Sequence, residues 1–188
     1  MKIITGVAKG MNLETLEGEA TRPTSQRVKE AIFSMIQFEV ENTCVLDLFA
    51  GSGQMGLEAL SRGAKKATFC DASRDAADIV IRNAKKARLF DKCRISCCDY
   101  NQMIRGLAGK EKYDIIFIDP PYKDKNICEV LKKIVKADIM ADGCIVLCES
   151  GYQDIFEGDE ISSRFEISKS ARYSISYVTL LRYKADIE

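Results

Sequence analysis

The chain has 188 residues, 46% of them hydrophobic and 30% charged, with 28 basic and 28 acidic side chains and so no net charge. That size suits one domain, and that composition argues against disorder and against residence in a bilayer. No apolar run nears the ~18 residues that cross a membrane. The first residues, Met1–Gly6, lack the apolar region of a signal peptide, so a cytoplasmic location is expected. Balanced charge neither announces a nucleic-acid partner nor excludes one, since a basic face can be offset by an acidic one. Histidine is absent, which removes imidazole bases, imidazole ligands and Ser-His-Asp triads together. The eight cysteines form no C-x-x-C pair. They read as small buried hydrophobes in a reducing compartment, with no metal site, and vicinal Cys97-Cys98 is the pair to watch.

Residues 1–20 read as a short β element and a loop, with Ile3, Ile4, Leu13 and Leu16 as apolar anchors and Gly6, Gly10 and Gly18 as turns. The segment Arg22-Pro23-Thr24-Ser25-Gln26-Arg27-Val28-Lys29 opens a first helix. Pro23 suits the entry and Thr24 or Ser25 the cap. Val28, Ala31, Ile32, Met35 and Ile36 make one helical stripe. Arg22, Arg27 and Lys29 crowd its first turn, where cations oppose the helix dipole, a conflict that an anionic ligand resolves.

From residue 44 strands and helices alternate. Strands are expected at Cys44–Phe49, Ala67–Cys70, Cys93–Cys97, Tyr113–Ile118 and Gly143–Glu149. Helices are expected at Gln54–Arg62, from Ser73 to about Leu89, at Gln102–Leu107 and at Ile127–Ala137. The second of these turns Ile79, Val80, Asn83, Ala84 and Ala87 inward. Two last β segments, Ser163–Ser168 and Ser174–Tyr183, are joined too closely for a crossover and read as an antiparallel hairpin. The expected fold is a Rossmann-like α/β domain: a mainly parallel sheet with helices on both faces, a C-terminal antiparallel hairpin and a short N-terminal β extension. One domain covers the chain, with residues 1–40 as extension and 41–188 as core.

In such sheets ligands bind beyond the carboxyl ends of the strands. Four expected strands end there on useful chemistry. After Asp47 comes Leu48-Phe49-Ala50-Gly51-Ser52-Gly53-Gln54-Met55-Gly56, a glycine loop opening a helix, where the backbone can approach a ligand and unpaired N–H groups face it. The G-x-G-x-x-G spacing with Asp71 downstream also fits a dinucleotide site. Asp71 can accept bonds from both ribose hydroxyls, Asp99 sits where an adenine amino group would lie, and Tyr100 can cover a ring face. Asp119-Pro120-Pro121-Tyr122 follows the apolar run Ile115–Ile118. Its prolines stiffen an extended turn that cannot continue the ladder. The Asp119 carboxylate and the Pro120 carbonyl can clamp an exocyclic amine, and Tyr122 offers a stacking face.

Asp-Pro-Pro-Tyr after the fourth strand, with Asp-Leu-Phe-Ala-Gly-Ser-Gly after the first, resembles the S-adenosylmethionine-dependent amino-methyltransferases of class I. Gly6-x-x-Lys9-Gly10-x-x-Leu13, then Arg22-Pro23-Thr24-x-x-Arg27-Val28-Lys29-Glu30-Ala31-Ile32-Phe33, and Leu57-Glu58-Ala59-Leu60-Ser61-Arg62-Gly63-Ala64 narrow the likeness to the RsmD family. These are bacterial 16S ribosomal-RNA guanine-N2-methyltransferases of the small subunit. The likeness runs over nearly the whole chain. It departs at the ends, where Lys2 and Thr5-Gly6 replace a usual arginine and paired glycine, and Lys169 is followed by Tyr173-Ser174.

The resemblance implies S-adenosylmethionine as cofactor, held by Asp47, Phe49, Gly51, Gly53, Asp71, Asp99 and Tyr100. It implies Asp119, Pro120, Pro121 and Tyr122 as the catalytic tetrad. It gives Lys9, Arg22, Thr24, Arg27 and Lys29 as RNA contacts. The implied partner is 16S RNA, the small subunit or an assembly intermediate; nothing in the sequence demands more than a monomer, which is the expected state. The tetrad alone also allows adenine or cytosine in DNA, or a protein glutamine, as target. A non-catalytic RNA-binding assembly factor is a further alternative, and a nicotinamide-dependent oxidoreductase leaves Asp-Pro-Pro-Tyr unexplained.

Overall fold

The computed structural model describes residues 1–16, 26–120, 127–156, 160–173 and 176–185. Helices are α1 (Gln26–Met35), α2 (Gln54–Ser61), α3 (Arg74–Lys86), α4 (Tyr100–Leu107) and α5 (Ile127–Lys136). Strands are β1 (Cys44–Asp47), β2 (Lys66–Asp71), β3 (Cys93–Cys97), β4 (Tyr113–Ile118), β5 (Met140–Ser150), β6 (Phe165–Tyr173) and β7 (Ser176–Tyr183). They form one sheet in the order β3-β2-β1-β4-β5-β7-β6. The first five strands run parallel, and β7 pairs antiparallel with both β5 and β6.

The parallel strands are buried on both faces, so their side chains feed two cores alternately. Val45 of β1 with Ile115 and Phe117 of β4 point to one face, and Leu46 with Ile116 and Ile118 to the other. The first core takes in α1, α2 and α3 together with Ile3, Ala8 and Leu13 of the N-terminal segment. The second takes in α4, α5 and residues Ile155, Phe156 and Phe165. The N-terminal segment folds back through a single antiparallel bridge, Lys2 to Asn12, and docks on α2. Its Gly6, at φ +86°, lies so close to the Ser61 backbone carbonyl that a Cβ would stand 1.7 Å from that oxygen. Only glycine fits there.

Part of the α1 stripe and several element limits need correction. Val28, Ile32 and Ile36 of the expected α1 stripe are buried, but Ala31 and Met35 are only half-buried and Lys29 and Phe33 join the buried face. Apolar periodicity could not enlist Lys29, because a lysine scores as solvent-facing. The expected first strand is also shorter, ending at Asp47, where the chain turns into the glycine loop, while β5 starts earlier, at Met140.

Candidate active site

The chain runs from β1 outward through β2 to β3, then returns across β1 to β4. Strand order therefore reverses between β1 and β4, and a crevice opens outside their carboxyl ends, where open α/β sheets hold ligands. The rim is held in register by backbone bonds between neighbouring strand ends. Leu48 N–H donates to Phe117, Ala50 N–H to Cys70 and Cys98 N–H to Asp71.

The glycine loop sits on this rim. Gly53 takes the N-cap of α2 with φ +77°, a conformation that L side chains rarely adopt. A Cβ on Gly56 would meet the Phe69 ring at 2.3 Å, so this glycine lets α2 lie directly against β2. At Gly51 a Cβ would meet nothing within 4 Å, which marks open space over the loop. Asp47 lies beneath, buried, with its carboxylate accepting the Gly56 N–H at 3.2 Å. Burial pushes this carboxyl up to about 7, against the opposing Gly56 hydrogen bond. In this structure Asp47 supports the loop from below.

Asp71, at the end of β2, accepts the Gly51 N–H at 2.8 Å through one oxygen and the Ser73 N–H at 2.9 Å through the other. It thus ties the loop to the start of α3 and keeps lone pairs on both oxygens for a ligand, since a carboxylate offers about four. Asp99 is the N-cap of α4, where one oxygen accepts the Asn101 and Gln102 N–H groups at 2.8 and 3.1 Å. Those backbone donors hold its carboxyl below the usual carboxylate range. Half-buried Phe49 and Tyr100 meet at 5.4 Å between ring centroids, and Lys133 of α5 stands 5.0 Å from the Tyr100 ring centroid. Across the switch point, half-buried Asp119 and Pro120 follow β4 directly. Pro121 and Tyr122 lie outside the described residues, as do Arg22 and Thr24.

The remaining basic candidates separate. Arg27 is exposed in the first turn of α1. Phe33 of that helix packs 5.8 Å from Phe117, the penultimate residue of β4. The chain then descends to the start of β1, so the Arg27 end lies on the rim side. Lys9 is exposed, but its turn docks through the Val7 N–H on the Ser61 carbonyl, at the end of α2 away from the glycine loop. That end is ~10 Å from the loop along the helix.

Lys29 is a correction. It is 0% exposed and ion-paired to Glu58 at 3.4 Å, with its ammonium donating to the Lys2 carbonyl at 2.7 Å. Burial lowers its pKa, opposed by Glu58. It is a core ion pair and not a surface for phosphate. Sequence reasoning passed over Glu58, which also accepts the Ile4 and Thr5 N–H groups and Arg62. Its only signal was a carboxylate on the buried face of a short helix.

A seven-stranded sheet whose parallel strands carry a switch point, a glycine loop and strand-end carboxylates, with antiparallel β7 set between β5 and β6, is shared with class I methyltransferases. The comparisons agree: yhhF from Escherichia coli superposes with a TM-score of 0.85 at 25% identity, covering 99% of each chain. The Haemophilus influenzae methylase HI0767 shares the fold at 22% identity, with a TM-score of 0.80 and 98% of each chain covered. The family model Conserved hypothetical protein 95 matches residues 1–182, and the chain belongs to that family of RsmD-like methyltransferases. YlbH of Bacillus subtilis is 35% identical over 79% of this chain and 82% of its own. Ribosomal RNA small subunit methyltransferase D of E. coli is 31% identical over 80% of this chain and 74% of its own.

Proposed function

We propose that this protein moves the methyl group of S-adenosylmethionine to the exocyclic N2 amine of a guanine in 16S ribosomal RNA, in the cytoplasm. The observation that carries the reading is the lock between Asp71 and the Gly51 N–H on one side of the switch point, with Asp119 and Pro120 following β4 on the other. Relatives named for small-subunit ribosomal RNA supply the substrate class.

The rim fits the donor. Open space lies over Gly51, two carboxylates with spare lone pairs stand at neighbouring strand ends, and the Phe49–Tyr100 pair offers an apolar wall. When bound, S-adenosylmethionine supplies a methyl group on a cationic sulfur, already activated toward a nucleophile. Asp71 would hold the ribose and Asp99 the adenine side. A guanine turned out of its RNA strand enters beside Asp119 and Pro120, and Tyr122 is the residue assigned to stack on it. Asp119 and the Pro120 carbonyl accept its amine hydrogens and orient the nitrogen lone pair along the attack line. As the new N–C bond forms, the methyl–sulfur bond breaks, with S-adenosylhomocysteine as the leaving group. Only then does the amine turn acidic and give up a proton to the Asp119 carboxylate and so to solvent; no strong base is needed beforehand and the lack of histidine is no obstacle. Positioning of this kind is worth up to ~7–11 kcal/mol in well-oriented systems.

The test uses small-subunit RNA and partly assembled particles that lack the modification, incubated with isotopically labelled S-adenosylmethionine and digested for mass spectrometry. Label in N2-methylguanosine is the expected result. Label in another nucleoside overturns the base, and label in DNA or protein alone overturns the RNA substrate. Asp119→Ala is expected to lower kcat by at least a hundredfold while leaving cofactor affinity near wild type. An unchanged rate removes Asp119 from the chemistry.

A further inference from the structure

One buried side chain joins the N-terminal segment to the glycine loop. Asn83, in the last turn of α3, is 0% exposed. Its Oδ1 accepts the Glu14 N–H at 2.8 Å, and its Nδ2 donates to the Glu14 carbonyl at 3.0 Å. The same Nδ2 donates its second hydrogen to the Ser52 carbonyl at 2.9 Å. The side-chain amide thus pairs with residue 14 as another peptide group would, and spends its remaining hydrogen on the residue between Gly51 and Gly53. Both of its donor hydrogens are engaged. A buried asparagine late in a helix is costly unless it is satisfied in this way. Val80, one turn earlier, stands within 3.1 Å of where a Gly53 Cβ would lie, so α3 backs the loop at two successive residues.

We propose that Asn83 is a positioning residue that makes the N-terminal segment a working part of the methyl-donor site. Its grip on the Ser52 carbonyl has the right direction only while Glu14 holds the other side of the amide. Two of the three bonds that orient this amide come from the segment. Undocking the segment lets the amide turn and leaves the Ser52 carbonyl buried without its donor. The glycine loop then loses the shape in which it meets the donor. By reciprocity, donor bound over the loop strengthens docking of the segment. The inference rests on reading the glycine loop as the S-adenosylmethionine site.

The experiment measures binding of S-adenosylhomocysteine by calorimetry, well below each variant's Tm, for the full chain. Asn83→Asp keeps the shape but replaces both donated hydrogens with a charged acceptor facing two carbonyls. Glu14→Pro leaves Asn83 and the loop intact and removes two contacts that dock the segment on α3, the Glu14 N–H to Asn83 and the Glu14 carboxylate to Arg82. Ile134→Val, in α5 on the opposite face of the sheet, controls for lost stability alone. The expected result is a Kd raised about tenfold or more in Asn83→Asp, the scale of one buried hydrogen bond left unmade, and severalfold in Glu14→Pro. It includes faster hydrogen exchange at the Gly53 amide in both variants, with Ile134→Val binding as wild type. In turnover, KM for the donor rises while kcat at saturation holds. A purely structural role would lower the active fraction and leave KM alone. Wild-type affinity in Glu14→Pro overturns the inference, even where Asn83→Asp fails to fold. Wild-type protein that takes up no S-adenosylhomocysteine overturns the methyl-donor reading and the inference with it.

Discussion

At the scale of single residues, the buried carboxyl of Asp47 is the group most exposed to a pH test. Its pKa is raised to about 7, chiefly by burial, so between pH 4 and 7 the folded protein holds a proton that the unfolded chain releases. Proton binding is then greater in the native state, and stability must fall as pH rises through that window, levelling off above pH 7. The whole effect amounts to up to ~4 kcal/mol. Asp47→Asn keeps an acceptor for the Gly56 N–H and removes the charge. Urea unfolding at pH 5 and pH 8 should therefore show the variant gaining on wild type as pH rises, and parallel pH profiles would contradict this. The cysteines give a second test. Cys70, Cys144 and Cys148 are buried, and burial raises their thiols well above the usual range, whereas Cys97 is exposed. A neutral-pH thiol reagent should label Cys97 first and those three only on unfolding. The sequence made the apolar settings of Cys144 and Cys148 plain. It did not distinguish Cys97 from Cys98, because β3 ends between them and which of the two is covered depends on where the chain turns beyond the strand.

At the scale of elements, α1, α2 and the N-terminal segment are joined by one carboxylate. Glu58 is 0% exposed and receives Lys29, Arg62 and the Ile4 and Thr5 N–H groups. Replacing one partner of a buried pair strands the other, at a cost of ~3–5 kcal/mol. Glu58→Ala should lose that much stability by denaturant unfolding. Lys29→Met should lose less, because Arg62 and two backbone donors still satisfy Glu58. Equal losses would show that the pair acts only through packing. The two glycine-loop elements, β1 and α2, were legible from an apolar run breaking on glycines, and the inward face of α3 was read correctly down to Asn83. The face of α1 was legible only in part, at Val28, Ile32 and Ile36, since a lysine there scores as solvent-facing until its partner, 29 residues onward, is known. The C-terminal hairpin was legible as a hairpin. Its insertion order was not drawn, although the reason lies in the residues: β7 is apolar through Val178, Leu180 and Leu181 and so belongs inside, while β6 carries Glu166, Lys169 and Arg172 and tolerates the edge.

At the scale of the molecule, 28 positive and 28 negative side chains leave no net charge to pull toward a polyanion. RNA affinity must then come from a few cations held at the right place and not from overall charge. Of the basic residues named from sequence and described in the structure, Arg27 is the exposed one that the fold carries to the rim side of β4, whereas Lys29 is withdrawn into the core. A cation that neutralises one phosphate releases one condensed counterion, which contributes ~0.7 to the slope of log affinity against log salt on a single strand. The wild-type slope should accordingly be shallow for an RNA-binding protein, and Arg27→Ala should lower it by about that amount. Affinity in that variant should fall by a similar factor for RNAs of different sequence, because a phosphate contact carries no base information. Arg27 is exposed, so stability should stay within ~0.5 kcal/mol of wild type. Filter binding across 50 to 300 mM salt, on a small-subunit fragment and on an unrelated RNA, separates the outcomes. An unchanged slope takes Arg27 off the phosphate backbone, and a loss confined to the small-subunit fragment makes it a reader of shape or base instead.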